Sequence, residues 1–476
     1  MTNKFLFTEK VNLPEWPIAL IRKVSHTDSL WLVGGTVRDL LINRPLHDWD
    51  FVSSTSGIRL AKQVANAFNG AFYILDKKRE TGRAIVQSPE STQRMTLDFA
   101  MLRDSTLTGD LLKRDFTVNA MAMSLTGEVL DPLHCQKDLG DCVIPMTTAD
   151  CFRQDPVRLL RAIRQSKNLD FSIDPATYTA IRQQAHLINT ISPERVLSEL
   201  CTLLSYHNTT SGIEQLEETH ILSYILPEIN TVTLEPNGKQ TGLSCSWINT
   251  VSALSMADHM LSRIDNIEQP DDPAAKGGAL WHELAPHLVG LRLQLRDYFA
   301  ESVNVDIHRS TLLKWALLMV TFPIEDLRHR LNELRMPNRS LDVIITLIET
   351  YPLFQQMSDD VTRSEIYRFY KQAGKVGPAV IFFALALTLI DAEIISDPPL
   401  LFRRSRILLQ VFFEHGDEFI TPVPILRGDD LIELGVQPGP VIGELLDRLL
   451  EAQVTGHVES RTSAVEFVLN QSIFDL

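Results

Sequence analysis

The stretch SLWLVGGTVRDLLINRPLHDWDFVSS, residues 29–54, decides the fold prediction for the N-terminal part of the chain. Its first seven residues are an apolar run that ends in two glycines, which predicts a buried strand over 29–35. Apolar residues at helical spacing follow, and DWDFVS (48–53) alternates Asp with aromatic and β-branched residues, as a second strand does. Strand, glycine turn, helix and strand in this order predict an α/β unit.

The flanking sequence extends this unit and then changes in character. Periodicity predicts a helix over 57–68 and strands over 71–76, 83–88 and 96–102. After about residue 148 strand signals give way to helical spacing. The predicted helices cover 155–169, 175–188, 192–205, 310–320, 325–334 and 339–354; 425–453 is predicted to be two helices around a PGP turn, and 265–279 a loop. The predicted fold is an α/β head followed by an all-helical remainder.

Composition narrows the class of protein. A length of 476 residues favours about three domains. The apolar segment 381–390 is too short to span a membrane and is followed by acidic residues, and the N-terminus lacks the apolar core of a signal peptide. We therefore expect a cytoplasmic protein without membrane association. Five cysteines without a CxxC pair favour reduced thiols over a zinc site or a disulfide framework.

The net charge of −15 argues against general affinity for nucleic acid, because phosphates attract Lys and Arg. Such a sum is compatible with a local basic surface in a cleft. An acidic remainder would limit non-specific binding.

The two glycines and the two aspartates of the opening stretch together indicate phosphate chemistry. Gly34 and Gly35 lie between a strand and a helix, where a backbone without side chains and free N–H groups can approach a phosphate, and Arg38 is one turn further on. Asp48 and Asp50 are two apart on a predicted strand and therefore share one face. Alone, an Asp-x-Asp pattern is more often a solvated strand end; the upstream glycines favour a pair of Mg²⁺ ions.

Three further groups of residues extend this hypothesis. Asp98, on the predicted strand 96–102, is a candidate third carboxylate that would deprotonate or orient an attacking hydroxyl. In KRDFTVNA (113–120), Arg114 is a candidate phosphate binder, and Asp115 and Asn119 are candidate ribose contacts. A surface Arg–Asp salt bridge is the alternative for this motif.

The third group is QDPVRLLRAIR, residues 154–164, where Asp155, Arg158, Arg161 and Arg164 recur every three residues on a predicted helix. A carboxylate accepts a hydrogen bond from the amine of C or A but repels the carbonyl of U or G, and an adjacent Arg donates to the ring nitrogen. Asp155 and Arg158 are therefore a candidate base-reading pair, and the other two arginines would neutralise a triphosphate. The alternative is a solvated stripe of charge worth tenths of a kcal/mol.

In this order, these blocks resemble the class II tRNA nucleotidyltransferases and bacterial poly(A) polymerases. The resemblance rests on LVGGTVRD with DWDF, KRDFTVNA, DPLHCQKDL (131–139), DPVRLLRAIR and SPERVLSEL (192–200), and more loosely on the last ~50 residues. It implies a polymerase-β-like head with a mixed sheet (1–147), a helical neck carrying the base-reading helix (148–215), a helical body (216–355) and an RNA-binding tail (356–476).

The resemblance also implies roles for single residues. By position, Asp48 and Asp50 match the family's metal ligands, Gly35, Arg38 and Arg114 match nucleotide contacts, and Asp115 matches a ribose contact. Asp155 and Arg158 match the base-reading pair, and Arg161 and Arg164 match phosphate contacts. Glu194 and Arg195 match a motif that supports the base-reading helix. Gln154 departs from the family, which often has an acid there. Some relatives carry a metal-dependent phosphohydrolase domain marked by His-Asp; here Met319 and Val320 stand near that position, so 245–355 is predicted to be a degenerate version that keeps only His259.

The expected function is addition of C and A from CTP and ATP to the 3′ end of tRNA, with Mg²⁺ as cofactor and no protein partner. Within the family, a CC-only enzyme, an A-only enzyme and a poly(A) polymerase remain open. A non-catalytic RNA-binding relative and a phosphohydrolase are alternatives from other classes; the intact carboxylates and arginines argue against the first, and the missing His-Asp pair against the second.

Overall fold

The computed structural model describes residues 11–24, 30–46, 48–87, 94–230, 247–267, 278–388 and 398–470. It divides the chain into two compact units. One unit comprises Met1–Val196 and Gln215–Ile225, and the other comprises Leu197–Glu214 and Leu226–Leu476. The predicted loop 265–279 falls mostly outside the described residues, as does Cys245.

The first unit is built on a mixed seven-stranded sheet. Its strands are β1 (Leu30–Val33), β2 (Asp48–Ser53), β3 (Ala71–Asp76), β4 (Thr81–Gln87), β5 (Arg94–Met101), β6 (Ala122–Ser124) and β7 (Val129–Leu130). The strand order is β3-β4-β5-β2-β1-β6-β7, with β2 and β5 parallel and the other neighbours antiparallel. The prediction of an α/β head with a mixed sheet is confirmed.

Helices make up most of the remaining structure. Up to residue 225 they are α1 (Glu15–Val24), α2 (Gly35–Leu41), α3 (Gly57–Ala67), α4 (Leu107–Leu112), α5 (Cys135–Gly140), α6 (Cys151–Gln154), α7 (Arg158–Leu169), α8 (Pro175–Gln184), α9 (Pro193–Leu204), α10 (Thr209–Glu218) and α11 (Ile221–Ile225). Beyond it they are α12 (Trp247–Arg263), α13 (Gly278–Leu288), α14 (Arg292–Ala300), α15 (Arg309–Leu318), α16 (Ile324–Glu333), α17 (Asn338–Gln355), α18 (Arg363–Ala373), α19 (Gly377–Thr388), α20 (Pro398–Glu414), α21 (Gly416–Phe419), α22 (Gly428–Glu433), α23 (Pro440–Val454) and α24 (Arg461–Leu469). The expected helical remainder is confirmed.

Helix α3 packs on one face of the sheet, and the candidate site lies on the opposite face. A Cβ atom added to Gly82 would lie 2.9 Å from Cβ of Ala61 in α3, so helix and strand are in close contact there. On this face Ala84, Leu97 and Phe99 are fully buried. Because side chains alternate across a strand, the residues between them project to the opposite face.

The predicted helix over 155–169 begins three residues late. Asp155 is extended (φ −151°, ψ 94°) and separates α6 from α7, which begins at Arg158. Pro156 explains the break, because a proline disfavours helical geometry in the residue before it. Asp155 therefore precedes the helix that carries the three arginines, and the prediction that all four share one helix is wrong.

Two pairs of short strands lie outside the seven-stranded sheet, at positions where no strand was predicted. They are β8 (Val143–Ile144) with β9 (Ser172–Ile173), and β10 (Ser302–Asn304) with β11 (Ile307–His308). Strands of two or three residues carry too few side chains for an alternating pattern to be read from sequence.

In the second unit, α19 is buried on all sides. Every residue from Gly377 to Leu387 is buried, as expected for a helix that is apolar around its whole circumference. None of the described helices combines the length and hydropathy that a membrane span needs. Near the C-terminus, α22, α23 and α24 enclose a separate apolar cluster that includes Leu431, Leu445 and Val468.

A buried ion pair also lies in the second unit. The ammonium of Lys314 is 2.7 Å from a carboxylate oxygen of Asp258, and both side chains are at least nine-tenths buried. Lys314 also donates to the backbone carbonyl of Tyr206 and to Thr209, and Asp258 accepts from the N–H and hydroxyl of Thr210. Burial lowers the pKa of Lys314, and Asp258 acts against that shift.

Removing one partner of this pair is expected to be costly. Lys314→Met should lower the free energy of unfolding by about 3–5 kcal/mol, because it leaves the carboxylate of Asp258 buried without its counter-charge. The double variant Lys314→Met/Asp258→Asn should recover most of that loss, since Asn still accepts from Thr210. Urea unfolding measures both; equal losses in the single and double variants would contradict the assignment.

Candidate active site

The glycine turn after β1 makes space at one end of the sheet. Gly34 has φ 69° and ψ −138°, a conformation that favours glycine. A Cβ atom here would lie 3.0 Å from Nη1 of Arg114 and 3.7 Å from Oδ2 of Asp50. The missing side chain at Gly34 therefore opens the space between a cation and a carboxylate.

The three predicted carboxylates lie on adjacent strands. Asp48 and Asp50 share one face of β2, and Asp50 is aligned with Asp98 of β5 in the parallel register. Asp98 accepts two hydrogen bonds of 2.8 Å from Nε and Nη2 of Arg83. Among the described residues, no group of three or more His, Cys, Asp or Glu side chains is placed to hold a metal ion. The pair Asp48 and Asp50 is thus the candidate metal site, with Asp98 paired beside it.

The electrostatics of Asp50 fit a site for a cation. Burial, together with the nearby charge of Asp98, raises its pKa to about 6, although Arg114 acts in the opposite direction. A buried carboxylate beside a second carboxylate gains from a bound positive ion, because that ion offsets both desolvation and repulsion. Oxygen donors of this kind suit Mg²⁺.

A cleft of about 710 Å³ is lined by the glycine turn together with residues that follow β3 and β5. Its lining contains seven basic and four acidic side chains: Lys78, Arg79, Arg103, Lys113, Arg114, Arg158 and Arg161 against Asp50, Glu80, Asp115 and Asp155. Gly34, Gly35, Asn119 and Gln154 complete its polar lining. This excess of cations is local, in a chain whose net charge is −15.

The carboxylate of Asp110 fixes Arg114. Asp110 is 1% exposed and accepts from both Nε (3.2 Å) and Nη2 (3.0 Å) of Arg114. Its other oxygen accepts from the backbone N–H of Arg103. Burial, and then the charge of Arg114, lower the pKa of Arg103, which indicates crowded positive charge that an anion would relieve.

Asn119 stands at the centre of a buried network. It accepts from Nη1 of Arg38 at 2.7 Å and donates to Asp115 and Gln165. Nε and Nη2 of Arg38 donate to Asp39. Arg38 therefore contacts protein groups here and lies outside the cleft lining, while Asn119 and Asp115 belong to it.

Asp115 is held in its charged form. Burial opposes its charge, yet Arg161, the amide of Asn119 and the backbone N–H of Phe116 together hold its pKa below the usual value. Nη1 of Arg161 lies 3.9 Å from Asp115. Of the two remaining arginines on α7, Arg161 lines the cleft and Arg164 does not.

The two candidate base-reading residues have different partners. Asp155 accepts from Nη2 of Arg195 at 2.9 Å; burial opposes its charge, but Arg195 holds its pKa below normal. Arg158 is 7% exposed, and its guanidinium donates to the backbone carbonyls of Lys113, Arg114 and Cys151. Arg158 thus joins the start of α7 to the KRDF segment, and Asp155 is positioned by a residue from α9.

Sequence reasoning missed several residues of the cleft. Lys78 and Arg79 follow β3 in a turn, and Arg103 follows β5. The basic run at residues 77–79 was a signal for the first two. Asp110 was also detectable, because it precedes Arg114 by four residues, the spacing of an i,i+4 ion pair.

Comparison with known proteins agrees with this geometry. Residues 30–145 match the family model "Poly A polymerase head domain". Residues 170–232 match the model "Probable RNA and SrmB-binding site of polymerase A". The first match spans the seven-stranded sheet and the glycine turn, and the second begins just after α7.

Relatives along nearly the whole chain agree with these matches. The chain is 26% identical to a CC-adding tRNA nucleotidyltransferase of Synechocystis, over 92% of both chains. It is 27% identical to an A-adding tRNA nucleotidyltransferase of Deinococcus radiodurans, over 92% of this chain and 94% of that one. It shares the fold of the Bacillus stearothermophilus CCA-adding enzyme solved in complex with CTP (TM-score 0.64, 20% identity, covering 96% of this chain and 97% of that one). The chain is a nucleotidyltransferase and belongs to the family of class II tRNA nucleotidyltransferases and bacterial poly(A) polymerases.

Proposed function

We propose that this chain adds C and A nucleotides, taken from CTP and ATP, to the 3′ end of tRNA without a template. The observation that carries the proposal is that Asp50, which shares one face of β2 with Asp48, lines a strongly basic cleft. An enzyme that transfers a nucleotide needs both, because it must activate a hydroxyl and hold a triphosphate. The names of the relatives support tRNA, CTP and ATP as substrates.

The proposed reaction is an in-line displacement at phosphorus. The 3′ oxygen of the RNA forms a bond to the α-phosphorus of the nucleoside triphosphate, and the bond from that phosphorus to the bridging oxygen breaks. Pyrophosphate leaves with the bonding electrons, and the hydroxyl proton passes to solvent or to a carboxylate. Asp98 is the candidate acceptor or orienting group, and its two hydrogen bonds from Arg83 fix the position of its carboxylate.

Asp48 and Asp50 would hold Mg²⁺. When bound there, the ion supplies positive charge that lowers the cost of the developing charge on the reacting oxygens. The raised pKa of Asp50 supports this assignment. Neighbouring positive charge does not fully compensate this buried carboxylate, and a bound cation would supply the missing charge.

Different residues of the cleft are assigned to different parts of the nucleotide substrate. Gly34 and Gly35 let backbone N–H groups approach a phosphate, and Arg114, held by Asp110, binds the triphosphate together with Arg161. Arg38 and Arg164 remain proposed phosphate contacts on sequence grounds alone. In the structure Arg38 is hydrogen-bonded to protein groups and positions Asn119. Asp115 and Asn119 face the cleft as candidate ribose contacts.

Base selection is assigned to Asp155, with Arg158 as support. The carboxylate of Asp155 lines the cleft, so it can accept from the amine that C and A share. The hydrogen bonds of Arg158 to three backbone carbonyls support a role in holding Asp155 and α7 in place.

The helical parts of the chain would bind the RNA. The match of residues 170–232 to a family model of RNA binding supports this for the segment after the base-reading helix. The division into head (1–147), neck (148–215), body (216–355) and tail (356–476) is our proposal for how the chain distributes these tasks. The body is proposed to be non-catalytic, because Met319 and Val320 stand near the position where some relatives have His-Asp, and both are buried apolar side chains.

A second candidate function is addition of C alone. It is favoured by the similarity to the Synechocystis CC-adding enzyme, which extends over 92% of both chains. The similarity to the A-adding enzyme of Deinococcus is of the same order, so product length decides between the three.

Primer extension with Mg²⁺ tests the proposal. Three tRNA transcripts, ending before CCA, after the first C and after CC, are each incubated with CTP, ATP or both. We expect all three to grow to CCA and stop. Arrest at CC marks the second candidate, and extension of the CC-ended transcript alone marks A addition. Long A tails on any RNA indicate a poly(A) polymerase, and no extension contradicts the proposal in favour of a non-catalytic RNA-binding protein.

A further inference from the structure

One row of side chains crosses four strands of the sheet and begins at the catalytic carboxylates. Asp50 is paired in register with Asp98, Asp98 with Arg83, and Arg83 with Tyr73. Partners in register project to the same face, so all four side chains lie on one surface. That surface is opposite to the one that α3 covers at Gly82.

Exposure increases along this row toward the sheet edge. The side chain of Asp98 is 17% exposed, that of Arg83 is 36% exposed, and Tyr73, on the edge strand β3, is 53% exposed. An exposed aromatic ring on the same face as the reacting groups is available to stack on a planar ligand. The bidentate pair of Arg83 and Asp98 lies between the ring and Asp50 and keeps the surface between them polar.

The turn that follows β3 indicates that this ligand is negatively charged. Lys77, Lys78 and Arg79 are exposed in it, and the last two also line the catalytic cleft. The turn is fixed by Asp76, which accepts from the backbone N–H groups of Lys78 and Arg79. An aromatic ring beside a cluster of cations is the combination that binds single-stranded nucleic acid, through bases and phosphates respectively.

The dimensions of the sheet fit the RNA acceptor strand. Tyr73 is three strands away from Asp50, which corresponds to roughly 14 Å at about 4.8 Å per strand. A stacked strand advances about 3.4 Å per nucleotide, so the ring is within reach of nucleotides up to about four positions before the 3′ terminus.

We propose that Tyr73 stacks on a nucleobase of the acceptor strand two to four nucleotides before its 3′ end, with the Lys77–Arg79 turn contacting the adjoining phosphates. This RNA subsite rests on the proposed function and adds to it a contact that positions the acceptor strand over the sheet. Because every base offers a flat face, the contact is independent of sequence, as a tRNA-wide activity requires.

Steady-state kinetics on the full chain test the subsite. Tyr73→Ala should raise KM for a tRNA transcript by about 5- to 150-fold, the range that loss of one stacked base produces, and leave KM for CTP within about twofold. Tyr73→Phe keeps the ring and should behave like the wild type. Ile74→Ala is the matched control, because Ile74 is similarly exposed on β3 but projects to the other face.

A binding readout separates this inference from the proposed function. Transcripts with 2-aminopurine at the second, third or fourth position from the 3′ end should show fluorescence quenching at one position with the wild type and Tyr73→Phe, and lose it with Tyr73→Ala. A wild type that extends tRNA while Tyr73→Ala keeps its KM overturns the subsite alone. Equal effects of Tyr73→Ala and Ile74→Ala, or a dimer that Tyr73→Ala dissociates, assign the strand edge to folding or to self-association instead.

Discussion

Asp50→Asn is expected to reduce nucleotide transfer by roughly three orders of magnitude or more, while tRNA binding stays nearly unchanged. The substitution preserves shape but removes one negative charge from the pair that would bind Mg²⁺, so charge stabilisation at the reacting phosphate is lost. Single-turnover extension of a CC-ended transcript measures the first effect, and filter binding measures the second.

The same variant should be more stable than the wild type when both are free of metal. The pKa of Asp50 is raised to about 6 from the 3.8 of an ordinary aspartate, so the folded state binds the proton more tightly and is penalised once the group ionises. About two pKa units correspond to about 3 kcal/mol of unfolding free energy above pH 6. The advantage of Asp50→Asn should shrink as pH falls through 6 and vanish below about pH 4, where both chains are neutral at this position.

Urea unfolding in EDTA between pH 4 and 8 measures this difference. Asp141→Asn, at an exposed position in the same unit, is the control and should change neither activity nor stability. Turnover by Asp50→Asn would contradict the metal assignment. A metal-free variant that is less stable than the wild type at pH 8 would show that Asp50 is already compensated by Arg114.

Asp155→Asn is expected to relax base choice. An amide can donate as well as accept, so it tolerates the carbonyl of U or G where a carboxylate repels it. The ratio of kcat/KM for CTP to that for UTP should fall by about 5- to 150-fold, the equivalent of 1–3 kcal/mol of discrimination. Competition between labelled nucleotides on one transcript measures the ratio directly.

Arg195→Gln is the matched control for this prediction. It removes the ion pair with Asp155 but leaves the carboxylate in the cleft, so overall activity should fall more than base preference. An unchanged CTP-to-UTP ratio in Asp155→Asn would place base reading elsewhere. Arg158 is a poorer probe, because its substitution also removes the hydrogen bonds to three backbone carbonyls.

Local patterns predicted the head with good accuracy, and the reasons are physical. The strands at 48–53 and 71–76 agree with β2 and β3 at both ends, since alternation and flanking turn residues mark strand limits directly. The glycine pair and Asp48 with Asp50 were also identifiable, because their chemistry depends on neighbours in sequence. The helix break at Asp155 was readable from Pro156 but was outweighed by the periodic arginines that follow.

Sequence alone predicted the family, the fold class and many of the residues that we assign to the candidate active site. Tertiary structure decided which of those residues face the cleft, since partners far apart in sequence cannot be read from local patterns. Thus Asp98 is paired with Arg83 from the next strand, Arg38 turns to Asn119, and Arg158 holds the KRDF segment. The Tyr73 row likewise exists only through strand register, which aligns residues separated by 10 to 48 positions along the chain.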